Sequence, residues 1–233
     1  MKYMSNHLQK ELDLLKAKIL DVGSLVEMSL FRAIKAVTEL DQVAFERVIQ
    51  EDNKIDQLEV ELEEDCLKVL ALYQPVAGDL RFVVSVLKIN NDLERIGDLA
   101  VNIARIGSYL AQEEPIKVPF NFEEMSTCVR EMLKSSLDAL VNMDADLATK
   151  VCKDDDKVDA IHRKMYGTVY EEIAKNPNRS KSLIHYLSIS RHLERIADST
   201  TNIAEDVIYM VDGVIIRHHL SEYDRISESK KKI

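Results

Sequence analysis

The chain has 233 residues, of which 46% are apolar, 31% charged and 6% aromatic, and its formal net charge is −10. This content of aliphatic side chains excludes a disordered protein, and six Gly and four Pro residues are too few for a collagen-like or turn-rich all-β fold. The negative charge disfavours nucleic acid as the main partner, because it repels a phosphate backbone, and it makes a cation the more natural ligand.

Six helices are predicted between breaks that proline residues or N-capping aspartates create. Prolines stand at positions 75, 115, 119 and 177, and Asp41 and Asp144 are suitable N-caps. The segments between these breaks are rich in strong helix formers such as Leu, Ala, Glu and Lys. The predicted helices are residues 4–39, 42–73, 76–112, 122–142, 145–175 and 178–216.

Residues 113–121 carry two prolines and are predicted to form a linker. Residues 1–112 then form a first bundle of three helices and residues 122–220 a second, because short connections force antiparallel neighbours. Residues 221–233 lack apolar periodicity, and we expect them to fray. The sequence contains neither the apolar core of a leader nor an uninterrupted apolar span, so we expect a cytoplasmic protein.

An internal repeat relates the two halves. The segment LKINNDLERIGDLAVNIA matches LSISRHLERIADSTTNIA when the chain is shifted by about 100 residues, and the preceding helices match after a shift of about 103. The predicted fold class is therefore all-α, with two tandem pseudo-symmetric three-helix bundles. Shared aliphatic residues preserve a core, but shared acids and amides require another reason.

The repeated acids form four pairs with a spacing of four residues, which places both members of a pair on one helical face. Ionised carboxylates at this spacing repel each other, so something should neutralise them. Asn102 and Asn202 follow one turn later on the same stripe and offer a further oxygen. The four pairs are Asp52/Asp56, Glu94/Asp98, Asp155/Asp159 and Glu194/Asp198.

Within each half, two of these pairs should face one another. Asp56 and Glu94 lie equally far along the chain from Pro75, and Asp159 and Glu194 lie equally far from the Asn176–Pro177 turn. In an antiparallel hairpin such residues sit at the same height. Each hairpin is therefore predicted to present four carboxylates in one solvent-reachable groove.

Oxygen ligands of this kind suit iron, manganese, magnesium or calcium ions better than zinc, and a cluster of several bridged ions is chemically reasonable. Two other interpretations stay open: a hydrated surface, and neutralisation by Arg95 and Arg195. His162 follows Asp159, but Glu59 occupies the equivalent position in the first half, so His162 is interpreted as peripheral. The occurrence of the pattern in two mirrored hairpins favours the metal site.

The sequence contains no Gly-rich phosphate loop and no signature of a hydrolase or zinc protease, so an enzyme is not indicated. A carboxylate-bridged metal enzyme would need an open coordination position and buried redox chemistry, and the surface placement of the acids and the missing Glu-x-x-His motifs argue against it. A metal-free helical scaffold is the stronger alternative, with oligomerisation through Leu80, Val83, Val84 and Leu87. Gln74, Asp79 and Arg81 flank the first hairpin turn, where they either cap helices or form a docking tip for a partner.

From HLQKELDLLKAKIL through QPVAGDLR to both LERI-G/A-D segments, the sequence resembles the PhoU family of phosphate-uptake regulators. The resemblance implies two three-helix bundles and E/D-x-x-x-D motifs that bind multinuclear metal clusters in some members. Carried onto this chain, those motifs are the four acid pairs, with Asn102 and Asn202 as additional ligands. One departure is Ala197, where the first half has Gly97.

The resemblance also implies a role in negative regulation. Such proteins couple a phosphate ABC transporter, through its ATPase subunit, to a sensor histidine kinase, and they keep the phosphate-starvation response off when phosphate is plentiful. This role requires no catalysis. It implies a cytoplasmic adaptor, peripheral to the membrane through its partners, and leaves a homodimer or another homo-oligomer open.

Overall fold

The computed structural model describes residues 2–116, 118 and 121–216, with side chains from residue 6 onward. Its described residues form six α-helices and one short 3₁₀ helix, Pro177–Arg179, which confirms the all-α fold class. The predicted tail, residues 221–233, lies outside the described residues. The α-helices are α1 (Lys2–Glu39), α2 (Gln42–Tyr73), α3 (Ala77–Leu110), α4 (Phe122–Asn142), α5 (Ala145–Lys175) and α6 (Ser180–Asp212).

The helix boundaries follow local chemistry. The Asp41 carboxylate accepts hydrogen bonds from the amides of Val43 (3.0 Å) and Ala44 (3.1 Å), so it caps α2 as predicted. Asp144 likewise accepts from the Leu147 amide at 2.9 Å and caps α5. The predicted end of the last helix at residue 216 is wrong, because Gly213 adopts a positive φ of 70° that ends α6.

Each half of the chain packs as three helices. The helices α1, α2 and α3 contact one another, and so do α4, α5 and α6. Leu93 and Leu193 occupy equivalent positions of the repeat, and both are fully buried. A comparable apolar core therefore supports each half, as the repeat predicts.

The two halves join along α3 and α6, which form the most extensive helix contact in the described chain. The helices run antiparallel: Arg81 of α3 lies against Gly213, Lys88 pairs with Asp206, and Tyr109 stacks on His185. Each step forward along α3 is matched by an equal step backward along α6. A local twofold axis therefore passes between Gly97 and Ala197, and we call this α3–α6 contact the seam.

The helices α2, α3, α6 and α5 form one layer, and α1 and α4 contact each other behind it. Both hairpins that carry the acid pairs, α2–α3 and α5–α6, thus belong to the same layer. Among the described helices we find none with an apolar stretch of the length that a membrane span needs.

Candidate functional site

The first cluster consists of the acids of the α2–α3 hairpin: Asp52, Asp56, Glu59, Glu94 and Asp98. Burial raises the pKa of Asp52 to about 6, and the charges of Asp56 and Asp98 add to this rise. Burial also raises the pKa of Glu94, with further contributions from Asp98, Glu59, Asp56 and Asp52 in that order. The acids of α2 and α3 therefore lie close enough to act on one another, as the equal heights predict.

The second cluster consists of the acids of the α5–α6 hairpin: Asp155, Asp159, Glu194 and Asp198. Burial raises the pKa of Asp155 to about 6, and the largest charge contributions come from Asp198 and Asp159. The pKa values of Glu194 and Asp198 are raised by burial first and then by neighbouring carboxylates. The same electrostatic conflict thus occurs in both hairpins.

Gly97 faces α2 beside the first cluster. A methyl group built on Gly97 would lie 3.4 Å from Ile55 Cδ1 and 3.6 Å from Asp52 Oδ1. The second half carries Ala197 at this position, and the residue is fully buried. A methyl group therefore occupies in the second half the place that stays open beside Asp52 in the first.

Among the residues that the structure describes, none of the eight predicted carboxylate ligands forms an ion pair. Arginines act on them from a distance. Arg105 lowers the pKa of Asp52, which burial raises overall, while Arg95 and Arg195 do the same for Asp198. Arg95 reaches the second cluster from α3, across the seam. The guanidinium groups thus offset part of the negative charge of the clusters, but they do not form one ion pair with each carboxylate.

The chemistry of these donors fits a hard cation, because they are oxygen atoms whose charge burial and mutual repulsion disfavour. Their arrangement is not a finished coordination site. Within the described part of the chain, no three His, Cys, Asp or Glu side chains converge closely enough to hold a metal ion. Metal binding would require side-chain rotations in both hairpins, and the ten residues proposed as ligands stay a prediction.

The two asparagines of the predicted ligand set lie beside the seam. Asn202 is exposed, and its amide nitrogen donates a hydrogen bond across the seam to Asp92 Oδ1 at 3.1 Å. Asn102, its repeat partner, is half-buried. Asn202 is therefore tied to the other half of the molecule through its nitrogen.

Glu59 and His162, one turn beyond the α2 and α5 pairs, were not among the predicted site residues. Glu59 contributes to the raised pKa of Glu94. His162 is half-buried, its Nδ1 lies 3.1 Å from Ser190 Oγ, and the Asp159 charge acts on it. Their spacing of three residues from Asp56 and Asp159 is the signal that could have placed both residues at the clusters.

The predicted docking tip is divided by the structure. Gln74 and Asp79 are exposed, and Gln74 adopts a positive φ of 47° where α2 ends. Arg81 turns inward instead: its guanidinium packs against Gly213, and its Nε is buried and has no hydrogen-bond partner within the described part of the chain. The apolar surface predicted for a scaffold is also partial, because Leu80 and Val84 are exposed whereas Val83 is buried and Leu87 half-buried.

Comparison with known proteins gives a consistent result. The model of the PhoU domain matches residues 19–107 and 122–207, one copy in each half. A phosphate-specific transport system accessory protein PhoU homolog from Aquifex aeolicus is 38% identical over 214 residues, which cover 91% of this chain and 97% of the homolog.

Two solved structures share the fold. The crystal structure of PhoU from Pseudomonas aeruginosa matches with a TM-score of 0.84 and 34% identity, over 88% of this chain and 99% of that one. The phosphate transport system regulatory protein PhoU from Streptococcus pneumoniae matches with a TM-score of 0.80 and 30% identity, over 89% and 98%.

Proposed function

The chain belongs to the PhoU family, and from this premise we propose that it is an accessory protein of a phosphate-specific transport system. Its relatives bear that name, and one is called a regulatory protein of phosphate transport. The finer proposal is negative regulation, in which the chain couples the ATPase subunit of a phosphate ABC transporter to a sensor histidine kinase. An accessory and regulatory family fits a protein without catalytic activity.

The observation that supports a cation-dependent adaptor is the doubled cluster of carboxylates. Asp52 and Asp155 are equivalent in the repeat, and each has a pKa raised to about 6 by burial, with added repulsion from neighbouring acids. At neutral pH both groups would be ionised in surroundings that oppose their charge. A bound cation would relieve that opposition in both hairpins.

The residues that would hold metal are the acids of each hairpin. Asp52, Asp56, Glu94 and Asp98 would serve one site, with Asn102 beside them. Asp155, Asp159, Glu194 and Asp198 would serve the other, with Asn202 beside them. Bound metal would supply positive charge that neutralises the carboxylates and links two helices of a hairpin.

Metal analysis of protein purified without chelator tests this part of the proposal. We expect metal at both hairpins, with iron, manganese, magnesium or calcium rather than zinc. The variants E94A/D98A and E194A/D198A should each lose the metal of their own hairpin only. Protein that contains no metal, and binds none on addition of these ions, would contradict the metal-binding role.

The regulatory role needs a separate test in the cell. Deletion of the gene should switch on phosphate-starvation genes in phosphate-rich medium, measured with a transcriptional reporter. Reintroduction of the wild-type gene should restore repression, whereas E94A/D98A/E194A/D198A should restore less if the clusters serve signalling. Low reporter expression in the deletion strain would overturn the regulatory proposal even if both metal sites were confirmed.

A metal-free helical scaffold is the second candidate. It is favoured because, among the described residues, no three potential metal ligands converge on one point. In that case the quadruple variant would repress the reporter as well as wild type, and metal analysis would find neither site occupied.

A further inference from the structure

An ion pair crosses the seam between Lys88 of α3 and Asp206 of α6. Asp206 is only 4% exposed, whereas the side chain of Lys88 is 35% exposed. The second carboxylate oxygen, Oδ2, is buried and accepts no hydrogen bond within the described residues. Compensation of the Asp206 charge therefore depends on Lys88.

The local twofold axis supplies an internal control for this pair. The position that mirrors Lys88 holds Ser188, and the position that mirrors Asp206 holds Ile106. The Ser188 hydroxyl donates to the Ile184 carbonyl of its own helix at 2.9 Å, and Ile106 packs against the core. Helix packing at this distance from the axis therefore does not require an ion pair.

Two other polar contacts along the seam lie nearer to water. The hydrogen bond from Asn202 to Asp92 and the ion pair between Lys181 and Glu113 are both exposed, so solvent can replace either partner. Solvent cannot easily replace Lys88, because Asp206 is buried. Sliding of α3 along α6 would leave the Asp206 carboxylate buried without its counter-ion.

We propose that Lys88 and Asp206 form a latch that fixes the register of α3 against α6. Loss of Lys88 alone lets the two bundles move relative to each other while each bundle stays folded, because the seam then holds a buried carboxylate without its counter-ion. Because α3 carries acids of the first cluster and α6 carries acids of the second, the latch also fixes how the two clusters are placed relative to each other. The unequal exposure of the pair predicts unequal effects: K88M leaves Asp206 buried and uncompensated, whereas D206N leaves a lysine that can reach water.

The test measures the distance between the bundles in the full chain by electron spin resonance. Spin labels are attached in a C128S background at Val60→Cys and Arg163→Cys, which are equivalent exposed positions of α2 and α5. We expect one narrow distance distribution for the background, a distribution about twofold wider or a second distance for K88M, and a smaller change for D206N. The double variant K88S/D206I, which copies the mirrored crossing, should remain narrow or broaden less than K88M.

Circular dichroism of the same variants shows whether each bundle stays folded. If K88M fails to fold, D206N and K88S/D206I carry the test, since neither leaves a buried carboxylate. An unchanged narrow distribution in folded K88M, or in D206N when K88M does not fold, would overturn the latch. Broadening in K88S/D206I as large as in K88M would also overturn the proposal. The wider distribution would then come from altered packing of the seam and not from an uncompensated charge on Asp206.

Discussion

The two carboxylate clusters occupy equivalent places in the repeat, yet their surroundings differ. The first has Glu59 as a fifth acid, and Arg105 is the cation that acts on Asp52. The second has His162 in place of Glu59, and Asp156 is a further acid that raises the pKa of Asp155, after burial and the charges of Asp198 and Asp159. The arginines that act on Glu194 or Asp198 are Arg95, Arg191 and Arg195.

This difference separates two contributions to the site. The repeated helices determine where the acids lie, because equal heights in the two hairpins bring the same positions together. The neighbouring residues determine how much negative charge remains for a ligand to compensate. Fewer arginines act on the first cluster than on the second, so more negative charge remains there, and we expect the first cluster to bind a cation more tightly.

Core substitutions test whether the helical framework is equally strong in both halves. Leu93 and Leu193 are both fully buried at equivalent positions. Each Leu→Ala change should lower the free energy of unfolding by about 2–5 kcal/mol, through lost burial and the cavity left behind. Urea unfolding measures both values. A loss below about 1 kcal/mol in one variant alone would show that the helical framework is not equally strong in the two halves.

Stability as a function of pH, measured without metal, tests the electrostatic conflict. The folded pKa values of Asp52 and Asp155, both about 6, lie above the ordinary aspartate value of 3.8. The folded state therefore binds more protons between about pH 4 and 6, and this contribution to stability is lost as the pH rises through that window. At pH 7, D52N and D155N should each raise the free energy of unfolding by about 1–2 kcal/mol, allowing for solvent screening.

Asp65 provides a control of opposite sign. Its hydrogen bond with Lys18 is the main cause of a pKa below the ordinary value. D65N should therefore remove stability that is present at neutral pH and lost as the pH falls into the acid range. If D52N and D155N followed the same trend as D65N, burial would not oppose ionisation in the clusters.

Exchange of the small residues at the twofold axis should give the smallest effect. Alanine is favoured over glycine in a helix by about 1 kcal/mol, and a methyl group at position 97 would make ordinary contacts. G97A should stabilise the protein by up to about 1 kcal/mol, and A197G should destabilise it by a similar amount. Thermal unfolding of both variants checks this, and destabilisation by G97A would show that the approach of α2 to α3 tolerates no side chain.

Much of the fold could be predicted from the sequence because its signals are local. Asp41 and Asp144 cap their helices as their residue type suggests, and the distances from Pro75 and from the second turn place the facing acids at equal heights. The end of the last helix was missed because the conformation of Gly213 outweighs the apolar residues that follow it.

Contacts between the halves could not be predicted in this way. The pairing of Lys88 with Asp206 and the inward turn of Arg81 depend on how α3 meets α6, and neither leaves a periodic pattern in one helix. Neutralisation of acids by Arg95 was an open interpretation of the sequence, but the sequence did not indicate that Arg95 acts on Asp198 across the seam. Sequence periodicity identifies which face of a helix is polar, but it does not identify the partner of that face.

Thermal unfolding at pH 7 with and without millimolar Mn²⁺ tests the central claim most directly, because a cation that compensates the clusters must stabilise the folded chain. The midpoint of wild type should rise by several degrees on addition of Mn²⁺. E94Q/D98N should lose the larger part of this rise, E194Q/D198N the smaller part, and the quadruple variant all of it. No rise in wild type, or an equal rise in the quadruple variant, would contradict the account.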